Sequence, residues 1–305
     1  MSSLKNIAWV GEVAKAGDFD IKLLVRNEVS TYDNLPKGLH SIHQVDYSDH
    51  KSLVRHLQAQ DAVIVFTSFV PGNEFDKKHI ALVNATIDAG VKYFIPSEWA
   101  LDTAGKMEST PDGHGPTLPT DMVLAPKRVS HNYLLCRAAE GKLKFCVVYP
   151  GVLFELSFQN GIFAFDFTTH SALLPDNGIN PFPATTLETL SKVIMSLFNT
   201  PSLISNEFYH VADGVLTQQY VFHVVEKEMG VLWARTSYST KEFRNAALAN
   251  IQKDVYGPSE YANSLMTPFF GGLQVWRHLD NDKLKVPDGQ VDVRAELISL
   301  VQKQL

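Results

Sequence analysis

Eight residues near the start of the chain set the tightest limit on what it can fold into. Residues 7–11 read as a buried first strand and residues 20–26 as a second, so only residues 12–19 separate them. A crossover between parallel strands usually takes a dozen residues or more, and eight residues supply about two helical turns at most. A βαβ unit that holds a dinucleotide needs more: a G-x-G-x-x-G-type turn, then a helix whose first N–H groups bind the pyrophosphate. Whether the chain binds a dinucleotide is therefore the central question.

The rest of the first half keeps a regular rhythm. Residues 40–45, 61–66, 91–96 and 143–149 read as strands, the second of these a near-continuous apolar run typical of a central parallel strand. Helices are expected over 51–57, capped within Ser48-Asp49-His50, over 74–89, stopped by Gly90, and over 124–139. This alternation predicts a doubly wound, mostly parallel sheet. The loop 102–121 is rich in Gly, Pro, Thr and Asp and follows a strand end, where open α/β sheets bind ligands. Beyond Gly151, Phe154, Phe158, Phe163, Phe165 and Phe167 crowd a short stretch, read as a smaller lobe with helices over 186–198 and 217–229.

Composition narrows the function. The 305 residues are 45% hydrophobic and carry a formal charge of −6 without a long basic run, which gives nucleic-acid binding no electrostatic support. No apolar stretch reaches the roughly 20 residues that span a bilayer, and the start of the chain lacks a signal-peptide h-region. The two cysteines, Cys136 and Cys146, sit in apolar contexts and read as buried, inert thiols. A cytoplasmic protein without disulfides is expected, monomeric or homodimeric. The 11 histidines show no metal-ligand spacing, so no metal is expected.

One segment is more specific. Ala89-Gly90-Val91-Lys92-Tyr93-Phe94-Ile95-Pro96-Ser97-Glu98-Trp99 closely resembles the A-G-V-K-R-F-I-P-S-E-F segment of NmrA-like and isoflavone-reductase-like proteins, an atypical branch of the short-chain dehydrogenases. Leu24-Val25-Arg26, Gln44-Val45-Asp46, Tyr149-Pro150-Gly151 and Leu174-Pro175-Asp176-Asn177-Gly178 fall where that family has similar segments, and the style is that of its fungal members. The resemblance implies a Rossmann-like α/β fold, here with its first βα turn and helix truncated, over residues 1–152. A smaller C-terminal α/β substrate lobe over 153–305 would return in part to the sheet. It also implies NADPH-dependent reduction of small, often aromatic metabolites, although the family includes dinucleotide-sensing regulators. Of the family's glycine fingerprint only Gly11 survives, which removes the usual pyrophosphate anchor.

Candidate residues follow. The resemblance places Lys127 close to the family's catalytic lysine, which assists proton transfer or polarises the substrate oxygen; from local sequence alone it is a solvated helix lysine. His131, one helical turn on, shares its face and could pair with it. His114 is the other well-placed histidine. Glu98 is a general base if desolvated, or a structural carboxylate. Ser97, Trp99, Tyr149, Phe154 and Phe158 are candidates to bind substrate, with most of the aromatic residues expected in the core. Should NADPH bind, Gly11, Arg26, Thr67 and Ser68 (with Phe69 beside them) are the candidate cofactor residues. An Arg at the second strand's end meets the 2′-phosphate in NADPH-using relatives.

Three functions are consistent with these residues. The short link narrowly favours a cofactor-independent, redox-neutral enzyme of secondary metabolism (isomerase, cyclase, pericyclase or lyase) acting on a hydrophobic metabolite. The alternatives are an NADPH-dependent reductase of the isoflavone-reductase type and a non-catalytic, dinucleotide-sensing regulator.

Overall fold

The computed structural model describes the chain except residues 1–5, 12–18, 33–38, 68–73, 103–124, 254, 256, 258–259, 261–262, 265–268, 273–275, 277, 287–290 and 305; of residues 6–11 it describes the backbone. The chain divides into two compact units. The first comprises Met1–Glu98, Thr120–Val148 and Val193–Tyr209, and the second Trp99–Pro119, Tyr149–Lys192 and His210–Leu305.

The first unit is built on one sheet. Its strands are β1 (Asn6–Gly11), β2 (Asp20–Val25), β3 (Leu39–Gln44), β4 (Ala62–Phe66), β5 (Tyr93–Ile95) and β6 (Lys144–Tyr149), joined at one edge by a later strand, Glu207–His210. The order runs from that later strand through β6, β5, β4, β1 and β2 to β3, and β1 to β6 pair in parallel. This is the expected doubly wound arrangement. Val63, Ile64 and Val65 of central β4 are fully buried because both faces of a parallel sheet are covered. Helices α1 (His50–Leu57), α2 (Phe75–Asp88) and α3 (Ala125–Ala139) alternate with the strands, α1 packing on α2 and α2 on α3. Asp49 starts α1 by accepting the Ser52 N–H at 3.0 Å, and Gly90, at φ 74°, ends α2.

The short link joins two neighbouring strands. In the β1–β2 register, Asn6 lies beside Asp20 and Val10 beside Leu24, so the chain leaves β1 at Gly11 and re-enters level with Asn6. That return is about 17 Å at roughly 3.3 Å per residue, whereas eight residues wound as a helix rise about 12 Å. Both faces of β2 are covered. Lys22 faces α1, where its Nζ donates to the His56 carbonyl at 2.9 Å. Alternation along the strand turns Ile21, Leu23 and Val25 the other way, and all three are buried. Phe19, in the same phase, packs edge-on against Phe198 at 5.3 Å.

The second unit follows the Tyr149-Pro150-Gly151 turn. Gly151 has φ 65°, and a Cβ there would lie 2.5 Å from the Pro183 carbonyl oxygen, so only glycine fits. The elements are β7 (Val152–Leu153), α4 (Phe154–Gln159), β8 (Phe165–Asp166), β9 (Ser171–Pro175), β10 (Pro181–Thr185), α5 (Leu187–Asn199, whose second half belongs to the first unit), β11 (Glu207–His210, the edge strand named above), β12 (Gly214–Thr217), α6 (Gln218–Met229), β13 (Ala234–Tyr238), α7 (Thr240–Ile251) and α8 (Val293–Gln302). They form two three-stranded sheets, ordered β12-β10-β7 and β13-β9-β8. Thr217 caps α6 by accepting the Tyr220 N–H, and Gly230, at φ 68°, ends it.

Phe154 and Phe158 are core residues rather than pocket walls. They pack with Phe163, Phe182, Phe222 and Phe270 in one buried cluster, and their rings meet Phe163 at 5.7 and 6.3 Å. Apolar neighbours occupy the faces expected to contact substrate. A second correction concerns Cys136, which is exposed on α3; Cys146 is buried as expected, and burial pushes its thiol pKa up.

Candidate active site

Five positions along α3 form its buried stripe: Lys127, Ser130, His131, Leu134 and Ala138. The spacing is that of one helical face, so the same periodicity that packs α3 on the sheet takes Lys127 out of water. Its ammonium donates to the Ser97 carbonyl at 3.0 Å and to Glu98 Oε2 at 3.3 Å, just beyond the end of β5. It also lies 5.5 Å from the centre of the Phe75 ring. The Lys127 side chain is 10% exposed and that of Glu98 is 2% exposed, which makes this a buried ion pair. An ammonium carries three N–H donors. Ser97 and Glu98 take two, leaving one for an acceptor oxygen.

The strand ends around this pair are cross-linked. Ser97 Oγ donates to the Thr67 carbonyl at 2.8 Å, and Thr67 Oγ1 lies 3.0 Å from His79 Nε2. His79 is stacked on Phe75 at 4.1 Å. Burial first, and the Lys127 cation second, push its imidazole pKa down to about 3, so it is neutral at physiological pH. His79 was not singled out by the sequence, because a histidine on an amphipathic helix carries no distinguishing pattern.

The expected Lys127–His131 pairing takes a different form. Both residues lie on the buried face, but the Lys127 ammonium meets Ser97 and Glu98, while the His131 ring packs 5.6 Å from Phe208. Trp99 (half-buried) and Tyr149 (fully buried) fall in the second unit. Ser68, Phe69, His114 and most of the loop 102–121 lie outside the described residues.

The second unit holds a pair that sequence spacing could not show. His210 Nε2 lies 3.1 Å from Asp102 Oδ2 across 108 positions of sequence, with Asp102 fully buried.

Beside the ends of β2 and β3 the first unit opens a cavity of about 870 Å³, within the range of small-molecule sites. Arg26, Lys77 and Lys78 supply cations, Asp46 and Glu74 carboxylates, and Tyr47 an aromatic wall. Glu74 is paired with Lys77 at 2.7 Å, and this contact holds its carboxyl below the usual range. The exposed Arg26 guanidinium makes no ion pair among the described residues. Burial pushes the Tyr47 hydroxyl up to about 12 against the opposing Arg26 charge, so Tyr47 is a neutral phenol. An aromatic wall next to an available guanidinium suits an adenosine bearing a phosphate. Gly11, at the end of β1, is the remaining described candidate for holding such a group. Among the described residues no cluster of His, Cys, Asp and Glu could hold a metal, and no helix is long and apolar enough to cross a membrane.

Residues 8–271 match the NmrA-like family. The chain belongs to this family. An oxidoreductase of Aspergillus flavus, aprR, is 25% identical over 236 residues, covering 77% of this chain and 74% of aprR. The leucoanthocyanidin reductase–NADPH complex from Vitis vinifera superposes with a TM-score of 0.71 at 15% identity, covering 97% of this chain and 99% of that one. AtPrR2 with NADP+ and (+)pinoresinol superposes with a TM-score of 0.70 at 20% identity, covering 98% and 100%. The Citrobacter triphenylmethane reductase complexed with NADP(H) gives 0.67 at 15% identity, covering 98% and 100%. The fold is thus the Rossmann-like α/β fold of these proteins.

Proposed function

We propose that the protein is an NADP(H)-dependent oxidoreductase acting on a small hydrophobic molecule. The observation that carries this reading is the cavity at the ends of β2 and β3, with Arg26 available for a phosphate and Tyr47 as its wall. Arg26, Lys77, Lys78 and Tyr47 would hold the adenosine 2′-phosphate half of the cofactor, which supplies a hydride when bound. The relatives support the same direction: aprR is an oxidoreductase, and the neighbours above were solved with NADPH or NADP+. The preference for cofactor-free chemistry rested on the short β1–β2 link, and it now takes second place.

Lys127 is the reacting side chain in this proposal. Its unassigned N–H donates to the substrate oxygen, polarising that group and delivering a proton as negative charge develops there. Glu98 and the Ser97 carbonyl fix the ammonium in place. Neutral His79 holds Thr67 without adding a second positive charge beside Lys127. Ser97, tied to Thr67, keeps the ends of β4 and β5 in register.

The test is turnover: nicotinamide absorbance is followed with purified protein, NADPH and a panel of aromatic ketones, enones and quinones. Substrate-dependent oxidation of NADPH, reduced about 10²–10⁴-fold by Lys127→Met, is expected for a lost acid–base group. Turnover unchanged by that substitution removes Lys127 from the chemistry. The second reading, redox-neutral isomerisation or cyclisation by the same Lys127–Glu98 pair, is favoured by the eight-residue link. It would take over if NADPH did not bind.

A further inference from the structure

The Asp102–His210 pair is more than the local backbone needs. The main chain at His210 is already tied on both sides: its N–H donates to Asp280 Oδ2 at 3.0 Å, and its carbonyl accepts the Asp280 N–H at 2.8 Å. Val211 N–H donates to the Tyr149 carbonyl at 3.1 Å. A fully buried carboxylate is costly unless it is paired and hydrogen-bonded, and one of the partners of Asp102 is the His210 imidazole.

That contact fixes the ring. With Nε2–H directed at Asp102, the neutral tautomer leaves Nδ1 as a proton acceptor. The one ring hydrogen bond of His210 among the described residues is that of Nε2 to Asp102, and its side chain is 10% exposed. Two aromatic rings flank the imidazole, Tyr149 at 5.3 Å and Trp276 at 5.2 Å. Trp276 is 5% exposed, and its Nε1–H is buried without a hydrogen-bond partner. A buried donor left unsatisfied calls for an explanation. The pair therefore offers an acceptor at Nδ1 beside a buried indole donor at Trp276 and two aromatic rings, and a hydroxyl on an aromatic ring complements that set.

We propose that Asp102 and His210 form an acid–base pair that accepts the proton of an aromatic hydroxyl group bound beside Tyr149 and Trp276. The hydroxyl O–H bond breaks and an Nδ1–H bond forms, leaving an aryl oxide and an imidazolium. No electrons leave either partner. Asp102 balances the imidazolium, and Trp276 Nε1–H donates to the oxide. Among the described residues, Asp280, itself ion-paired with Lys283, and Tyr149 are further ionisable groups beside His210. The proposal is independent of whether the chain binds a dinucleotide.

The test is a titration of the full chain with 4-nitrophenol, followed by tryptophan fluorescence and by nitrophenolate absorbance as a function of pH. Saturable quenching is expected, and the bound probe should ionise at least about one pH unit, a factor of ten, below the free probe. His210→Gln should return the ionisation midpoint to the free value, and Trp276→Phe should weaken binding. An unshifted midpoint in the native chain, or no saturation in the millimolar range, overturns the proposal even if the variants do not fold. A shift that persists in His210→Gln overturns it as well.

Discussion

Replacing Lys127 by Met removes the cation from a carboxylate that is 2% exposed. Loss of one partner from a buried pair typically costs about 3–5 kcal/mol, because the remaining charge stays in a poorly solvating site. The upper part of this range applies here, since the low exposure of both side chains leaves little solvent screening. At roughly 2–4 °C per kcal/mol for chains of 150–250 residues, the unfolding midpoint should fall by roughly 10 °C. Changing both partners, Lys127→Met with Glu98→Gln, leaves no unpaired charge and should return the stability to within about 1 kcal/mol of the native chain. The assay is a double-mutant cycle in urea, read by circular dichroism. Were Lys127→Met to cost less than about 1 kcal/mol, or the double variant to show the sum of the single losses, the buried-pair reasoning would fail. Catalysis separates from stability in this cycle, because the double variant should be stable but inactive.

Arg26→Ala should weaken NADPH binding about 10–100-fold, the worth of roughly 1.5–3 kcal/mol for a charged hydrogen bond, while leaving NADH binding nearly unchanged; equal losses for both would remove Arg26 from the 2′-phosphate. The folded state keeps His79 neutral down to about pH 3, whereas the unfolded chain protonates it near pH 6.5. The unfolded state then binds the extra proton, so stability present above that pH falls on acidification, by about 2 kcal/mol at pH 5. His79→Gln should flatten the profile by that amount, and an unaltered slope would show that His79 is not the source. Phe158→Ala should cost about 3–5 kcal/mol as a core cavity without changing KM; a raised KM with native stability would return Phe158 to the substrate pocket.

The fold could be read from the sequence wherever one local rule dominated. Continuous apolar runs mark strands buried on both faces, as in β4, and Asp49, Thr217 and Gly230 mark helix ends by their own hydrogen bonding or φ. Lys127 was legible as a candidate through the family resemblance, whereas local sequence read it as a solvated helix lysine; its burial on the packed face of α3 was not foreseen. Its partners were harder to foresee. His79 reaches Thr67 from the next helix, and Asp102 reaches His210 across 108 residues, contacts that only the tertiary fold creates. Most of the Phe-rich stretch was expected in the core, as it is, but composition alone could not sort its pocket candidates from its core residues. Phe154 and Phe158 meet Phe163 where a ligand was expected. All but one residue of the short β1–β2 link lies outside the described residues, so its local form is not a ground for or against the cofactor. The weight of its shortness against the cofactor is offset in our proposal by the cavity at the ends of β2 and β3, lined by Arg26 and Tyr47.

Calorimetric titration of NADPH and NADH into the purified chain tests the central claim most directly. The account predicts saturable NADPH binding and at least about tenfold weaker NADH, a difference of roughly 1.4 kcal/mol set by the 2′-phosphate on Arg26. No saturable binding of NADPH in the millimolar range, or equal affinity for both, would contradict it.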